Sequence, residues 1–324
     1  MSAPASPPSS LLRRSATRAW AFDRPLSLLV ALMLPTLVVC AIGLAVDPDV
    51  VTGAPAWLKP AKFSVSIAIY GATLLWLLTL VDGHRRLVRT IGAVTALALG
   101  IEQVIIVGAV VLDTTSHFNV STPAHAAAWS TMAVSIVLVW VMNLLTMILL
   151  LRQRPVSRAF AWSLRLGLAA SFVGMGVAFF MTAPTPEQLD VAAASGGLPV
   201  VGAHSVGVAD GGPGLPIVGW STLGGDLRAA HFIGLHGLQV LPLVGWLLVR
   251  LRARWLGEAD RTALVTVAGV GYIALVAALT WQALRGQPLL APDAWTLAAV
   301  GAIVAAAGVS AASVVANARR RRPG

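Results

Sequence analysis

The chain has 324 residues, of which 57% are hydrophobic and only 11% are charged, and its mean hydropathy is +0.81. Soluble domains usually carry about 25% charged residues, so this composition excludes an ordinary soluble protein and indicates an integral membrane protein. The formal net charge of +10 is divided into short clusters between apolar segments. This pattern argues against nucleic acid as a partner and for the lipid bilayer.

A helix that crosses the hydrocarbon of a bilayer needs about 20 apolar residues. Eight segments meet this requirement: residues 26–46, 64–81, 91–112, 131–151, 164–182, 229–249, 262–284 and 295–316. We therefore predict an all-α integral membrane bundle of about eight transmembrane helices, which forms one domain over residues 25–317. Residues 1–24 are predicted to be a disordered basic cytoplasmic tail, and residues 318–324 a second basic cytoplasmic tail.

The basic residues alternate between the two sides of this predicted bundle. Nineteen of the 23 lie in the two tails and in the second, fourth and sixth connections. The other four are Lys59, Lys62, Arg228 and Arg285. Because cytoplasmic segments are rich in arginine and lysine, both termini are predicted to be cytoplasmic.

The only lysines of the chain, Lys59 and Lys62, come just before the second predicted span, and Pro60 between them suits a first helical turn. Two amines beside a helix N-terminus can hold an anionic headgroup or substrate. They can equally be anchors that extend to the interface beside Trp57. Arg228, near the start of the sixth predicted span, has the same two interpretations.

Glu102 lies inside the third predicted span, with Gln103 beside it. A carboxylate at this depth is costly, so it should face the bundle interior and either pair or take up a proton. Asn143 and His236 lie at similar depths in other spans, so a buried Glu102–His236–Asn143 cluster is one hypothesis, with Glu102 and His236 as candidate catalytic residues. The alternative is a hydrogen-bonded polar knot that fixes helix packing.

Histidines gather at the predicted outer edge of the membrane. His117, His125, His204 and His231 are candidate ligands for a transition metal or a haem, because imidazole binds both. Their spacing matches no established ligand signature, and the alternative is that they cap loops or lie at the interface. Ser116 is not predicted to contact the ring of His117, since adjacent side chains rarely face each other.

The fifth predicted span carries Gly167, Gly174 and Gly176, a small-residue pattern that predicts close approach of another helix. The connection that follows, residues 183–228, is the longest and is rich in glycine and proline. Loops beyond about 12–15 residues are usually functional or disordered. The sequence leaves open whether this outer loop folds over the bundle, as a re-entrant lid, or hangs free.

Asp226 is a natural N-cap for the sixth predicted span. His231 and His236 follow, five residues apart, which places them about 140° apart around a helix and prevents both from binding one metal ion. His236 and Gln239 share a helix face. Gln103, Asn143, Asp226 and Gln239 are therefore predicted to be polar support for the candidate site.

Four stretches resemble a family of uncharacterised bacterial multi-pass inner-membrane proteins: Trp57 to Phe63, Thr114 to Asn119, Asp210 to Pro216 and Gly225 to Gln239. The resemblance implies location in the bacterial cytoplasmic (inner) membrane. No activity is established for the family, so the resemblance implies no functional residue.

Three functions remain open from the sequence. The first is an extracytoplasmic histidine and carboxylate site that binds a metal or haem for redox or hydrolytic chemistry. The second is a proton-coupled transporter of a small solute that uses Glu102 and His236. The third is a non-catalytic assembly or lipid-organising protein, whose polar residues are structural.

Overall fold

A computed structural model describes residues 18–153 and 157–321 of the chain. After a helical turn at residues 18–22, nine helices follow in this part of the chain: α1 (Arg24–Val46), α2 (Leu58–Leu78), α3 (Arg85–Val111), α4 (Pro123–Leu151), α5 (Arg158–Met181), α6 (Pro186–Ser195), α7 (Leu227–Arg250), α8 (Glu258–Leu284) and α9 (Ala294–Arg320). Eight spans among the described residues are long and apolar enough to cross a membrane. The predicted all-helical, multi-pass membrane character is confirmed.

Short polar side chains begin most of the long helices. The side chains of Asp23, Thr122, Ser157 and Asp293 each accept a hydrogen bond from a backbone N–H in the first turn of the helix that follows. Asp226 does the same for α7, which confirms the predicted N-cap. Inside the bilayer the remaining backbone groups must bond within the helix, so apolar segments of this length have little alternative to helix.

The most extensive helix contact in the described residues joins α5 to α7. A Cβ at Gly174 would meet the backbone of Gly234, and one at Gly167 would meet the carbonyl oxygen of Gly237. A Cβ at Gly176 would meet nothing within 4 Å. The predicted close packing is therefore confirmed for Gly167 and Gly174 and is wrong for Gly176.

Hydrogen bonds group the connections into two ends of the bundle. At one end the Gln153 side chain accepts from the Asp82 backbone N–H, and Ser157 donates to the Glu258 carboxylate. The arginine-rich end is defined by these described parts of the connections: residues 79–84, 152–153 with 157, and 251–257. The histidine-rich end is defined by the opposite connections: residues 47–57, 112–122, 182–226 and 285–293.

The long connection 182–226 is folded over the histidine-rich end. It contains α6 and the strand β3 (Ser205–Val206), which pairs antiparallel with β4 (Gly225–Asp226). A second small pair, β1 (Val50–Val51) with β2 (Ala54–Pro55), lies in the first connection. The backbone N–H of Val201 donates to the carbonyl of Phe118, and Lys62 donates to the carbonyl of Val218. The connection 182–226 is therefore held by hydrogen bonds to the connection 112–122 and to α2.

The predicted tails differ from the structure near the bundle. Residues 18–22 are helical and Asp23 is only 4% exposed, so the prediction of a disordered tail is wrong for residues 18–24. Residues 1–17 lie outside the described residues. At the other end α9 continues to Arg320, and Arg321 donates to the Asp260 carboxylate. Residues 322–324 of the second predicted tail also lie outside the described residues.

Candidate functional site

Five polar side chains come together at the histidine-rich end, and we term them the histidine cluster: Lys59, Glu102, His117, His204 and Asp210. They come from the first turn of α2, from α3, and from two connections that are far apart in sequence. Four of them were predicted site residues, Lys59 as an anion ligand, Glu102 as an acid, and His117 and His204 as metal ligands. The structure combines these residues in one site.

Glu102 faces the interior of the bundle, as predicted, with only 1% of its surface exposed. Its Oε1 atom lies 3.5 Å from Nε2 of His117. Its Oε2 atom is buried and has no hydrogen-bond partner among the described residues. Next to it, Gln103 Nε2 donates to the Pro60 carbonyl at 3.2 Å and to Ser64 Oγ at 3.1 Å. These bonds hold this part of α3 against the first turns of α2, where Lys59 lies.

His117 reaches Glu102 because the chain turns back directly after α3. Asp113 and Phe118 have φ angles of +48° and +65°, the left-handed region that non-glycine residues rarely adopt. The reversal also brings Ser116 Oγ within 3.0 Å of His117 Nδ1. The prediction that these adjacent side chains do not meet is therefore wrong. His117 lies between a serine hydroxyl and a buried carboxyl group.

An aromatic wall surrounds the ring of His117. The ring centroids of Phe63, Phe118 and Trp129 lie 5.9, 6.0 and 5.5 Å from its own. Burial, together with the positive charge of Lys59, holds the pKa of His117 well below its usual range. The neutral ring can exchange tautomers, in which either Nδ1 or Nε2 carries the proton.

His204 is oriented by Asp210. Its Nδ1 lies 2.7 Å from Asp210 Oδ2, and the backbone N–H groups of His204 and Ser205 donate to the same carboxylate at 3.0 and 2.8 Å. Burial would raise the pKa of Asp210, but these hydrogen bonds outweigh it and the pKa is lowered. Burial also lowers the pKa of His204, against the opposing effect of Asp210. A carboxylate on Nδ1 leaves Nε2 of His204 free to accept a proton.

The three predicted anion-binding residues have different surroundings. Arg228 forms two bonds with the Asp226 carboxylate, at 2.9 and 2.6 Å, and donates to the Gly219 carbonyl at 2.6 Å. Lys62 donates to the Val218 carbonyl at 3.1 Å. Within the described residues the amine of Lys59 donates no hydrogen bond, and Glu102 is the strongest opposite charge near it. Of these three residues, Lys59 is the one whose side chain has no hydrogen-bond partner within the described residues.

The predicted Glu102–His236–Asn143 cluster does not form, since no hydrogen bond or ion pair joins these side chains in the part of the chain described. His236 Nδ1 contacts Gln239 Oε1 at 3.2 Å, as their shared helix face predicted, and Gln239 donates to Thr73 Oγ1 at 3.1 Å. His236 therefore lies toward α2. Asn143 Nδ2 lies 3.5 Å from the carbonyl of Leu168 in α5. The three residues lie at similar depths in their helices, but their side chains do not point toward one another.

Sequence reasoning missed two polar partners in the site, Ser116 and Asp210. Asp210 precedes a Gly-Gly-Pro-Gly turn and lies six residues after His204, a spacing that an Asp-stabilised loop would produce. No sequence signal identified Ser116. The three aromatic residues of the wall were also missed, because single aromatic residues at an interface are common.

The four predicted metal ligands are not gathered around one point. His125 contacts Ser121 Oγ at 3.1 Å, and His231 Nδ1 donates to the carbonyl of Gly174 at 2.8 Å. Across residues 18–153 and 157–321, no group of three or more His, Cys, Asp or Glu side chains is placed to hold a metal ion. Metal or haem binding stays a prediction, tested by elemental analysis and the visible spectrum. Comparisons with protein-family profiles, with curated proteins and with solved structures find no match for this chain.

Proposed function

We propose that this integral membrane protein is a proton-coupled carrier of a small solute, in which Glu102 takes up and releases the proton. The observation that carries the proposal is the surroundings of Glu102, whose carboxyl group is buried in the bundle with one oxygen facing His117 and the other unpaired. A carboxylate in this position is stabilised by taking up a proton. Ionisable groups inside membrane bundles commonly belong to proton relays.

The proposal includes an orientation. Positively charged connections are retained on the cytoplasmic side, so the arginine-rich end is assigned to the cytoplasm of a bacterial inner membrane. The histidine-rich end then faces the extracytoplasmic side, and both termini are cytoplasmic. Protons from outside would reach Glu102 through the histidine cluster.

The route runs from His204 to His117 and then to Glu102. The two histidine ring centroids are 6.4 Å apart, a distance that one bridging water can span. His117 passes a proton by receiving it on one ring nitrogen and giving it from the other, and its Nε2 faces the carboxyl group. Because both rings are neutral near neutral pH, each can accept a proton.

Polar atoms continue from Glu102 toward the arginine-rich end. Besides Glu102 Oε2 and Gln103 Oε1, four buried side-chain oxygens on α2 to α5 lack a hydrogen-bond partner among the described residues: Tyr70 Oη, Thr95 Oγ1, Asn143 Oδ1 and Ser171 Oγ. An unpaired buried polar group costs about 1–3 kcal/mol, so their retention favours a role that uses them. Thr95 lies about 10 Å along α3 from Glu102, at 1.5 Å per residue. These atoms support a polar path on the cytoplasmic side.

The test compares Glu102→Gln with Glu187→Gln, an exposed carboxylate at the same end of the bundle. Infrared spectroscopy of the purified protein during a pH titration should show the C=O band of a buried protonated carboxylic acid, absent only in Glu102→Gln. In liposomes with a trapped pH dye and the membrane potential clamped at zero, an inward gradient of an organic acid, an amino acid or a sugar should drive proton uptake. Glu102→Gln should abolish this uptake and Glu187→Gln should retain it.

Two results would contradict the proposal. One is proton uptake at the wild-type rate in Glu102→Gln. The other is an infrared titration that the substitution leaves unchanged. If Glu102→Gln lowers only thermal stability, the side chain is a structural polar knot, as the assembly hypothesis requires.

A second candidate function is an extracytoplasmic hydrolase, favoured by one specific contact. Ser116 Oγ, His117 and Glu102 form a chain of contacts at 3.0 and 3.5 Å, the residue types of a nucleophile, base and orienting acid. Covalent labelling by a fluorophosphonate probe, lost in Ser116→Ala, would support it. A wild-type protein that does not react with the probe would count against it.

A further inference from the structure

The charges nearest to Lys59 and Lys62 are equal in number. Three cationic side chains lie among three carboxylates: Lys59, Lys62 and Arg228 with Glu102, Asp210 and Asp226. Arg228 and Asp226 are joined by two hydrogen bonds, and Asp210 is held by His204 and the backbone. These groups are fixed partners. Of the two carboxylates that act on Lys59, Glu102 has the larger effect and Asp210 the smaller one.

Geometry supports the pairing of Lys59 with Glu102. Gln103 and Pro60, the chain neighbours of Glu102 and Lys59, are joined by a hydrogen bond of 3.2 Å. His117 contacts Glu102, and Lys59 is the nearest cation to affect that histidine. Yet Lys59, a residue of intermediate burial, donates no hydrogen bond from its amine within the described residues. The positive charge of Lys59 is therefore stabilised by longer-range electrostatic attraction and not by a direct hydrogen bond.

Protonation of Glu102 changes this balance. The carboxyl group becomes neutral, and Lys59 loses the stronger of the two negative charges that act on it, which is unfavourable in a partly buried position. We propose that Lys59 then binds a small monovalent oxyanion, such as a carboxylate, so that anion and proton are taken up together. This inference rests on the proposed function and names the class of solute.

The surroundings of Lys59 fit such a ligand. Protonation of Glu102 by one proton removes one negative charge from the site. A ligand with one negative charge restores it. The N-cap residue of α2, Trp57, provides no side-chain hydrogen bond, so the positive end of that helix adds to the field of the amine. Phe63 lies four residues after Lys59 on the same helix face and offers an apolar surface for the carbon part of an organic acid.

Other ionisable groups face this site, and the test must separate their titration from that of Glu102. They are His117, His204 and Asp210 in the connections, Lys62 on α2, Arg228 on α7, and Asp47 at the end of α1, which accepts a hydrogen bond from Trp57 at 2.7 Å. We therefore choose methanesulfonate as the probe, because its own charge does not change between pH 4 and 8. Glu102→Gln separates the effect of Glu102 from that of the other groups.

Calorimetry of methanesulfonate binding to the purified protein in detergent gives the decisive measurement. Wild-type affinity should rise tenfold for each unit of decreasing pH above the pH at which the Glu102 infrared band titrates. Glu102→Gln, which resembles the protonated state, should bind tightly with affinity that no longer follows this tenfold dependence. Lys59→Gln should not bind, and Lys59→Arg should. The control Arg285→Gln removes a cation at the same end that is paired with Asp293, and should bind like the wild type.

The outcomes distinguish this inference from the proposed function. If the Glu102 band titrates but binding survives in Lys59→Gln, or wild-type binding ignores pH, the anion inference is overturned and the proton-coupled function stands. If the Glu102 band does not titrate, the proposed function is overturned as well. Should Lys59→Gln fail to fold, the double variant Lys59→Gln/Glu102→Gln, which removes both charges together, must fold without binding the anion.

Discussion

Replacing Gly174 by alanine is expected to force α5 away from α7. A Cβ at this position would lie 2.6 Å from the backbone of Gly234. Carbon atoms pack at about 3.5–4.0 Å, so the helices must separate by about 1 Å. The obstructing atoms are backbone, and no side chain can rotate away. The same movement stretches the 2.8 Å hydrogen bond from His231 to the Gly174 carbonyl, and so disturbs the start of α7 near Arg228.

The magnitude follows from three contributions. Overpacking of a tight contact costs about 1–3 kcal/mol. Loss of a hydrogen bond between membrane helices costs about 0.6 kcal/mol. Alanine recovers about 1 kcal/mol over glycine through its helix propensity. The free energy of unfolding should therefore fall by about 1–2 kcal/mol, judged from the same three contributions.

Gly176→Ala provides the control, since it lies on the same helix and a Cβ there meets nothing within 4 Å. Thermal unfolding of both variants in one mild detergent should show a lowered midpoint for Gly174→Ala only. Gly176→Ala should match or exceed the wild type. Equal midpoints for the two variants would refute the close contact between α5 and α7.

Two further predictions concern the histidine-rich end. Burial lowers the folded-state pKa of His204 below its ordinary value of 6.5, so the unfolded segment 182–226 binds more protons than the folded one as the pH falls below 6.5. Stability of this segment is complete above that pH and decreases with acidification, and the lowered pKa of Asp210 adds a second loss only below about pH 4. Hydrogen exchange of the Ser205 amide, corrected for its intrinsic pH dependence, should speed up between pH 7 and 5, and constant protection would contradict the argument. The second prediction concerns orientation and uses single-cysteine variants in a Cys40→Ala background. A membrane-impermeant maleimide should label Leu290→Cys in intact cells, and should label Asp82→Cys only after lysis. The reverse labelling pattern would show the opposite topology.

The membrane helices were predictable because composition nearly determines them. A long apolar segment in lipid must satisfy its own backbone, so hydropathy alone identifies the segment. The ends were less predictable. The fourth span was predicted from residue 131, whereas α4 begins at Pro123, where Thr122 provides the cap. Hydropathy does not register such polar first turns.

The inward direction of Glu102 was also predictable, because a carboxylate is unfavourable against lipid. Its partner was not. Equal depth on other helices predicts His236 as the partner, yet the partner is His117, which lies in the connection that follows α3. The reversal of the chain after α3 depends on the backbone conformations of Asp113 and Phe118. Aspartate is a common turn residue, but phenylalanine gives no turn signature. Helix periodicity likewise predicted that His236 and Gln239 share one face of their helix. It could not predict that this helix face packs toward α2.

Connections between helices provide most of the chemistry of the site. His117, His204 and Asp210 all lie outside the spans, while Glu102 is the deep member of the cluster. A carrier must expose its site to one face at a time. The two sides of Glu102 are unequal in this respect: the connections 112–122 and 182–226 cover it toward the histidine-rich end, and packed helices enclose it toward the other. Because short loop contacts open at a lower cost in free energy than packed helices do, proton exchange with the histidine-rich face should be the faster of the two.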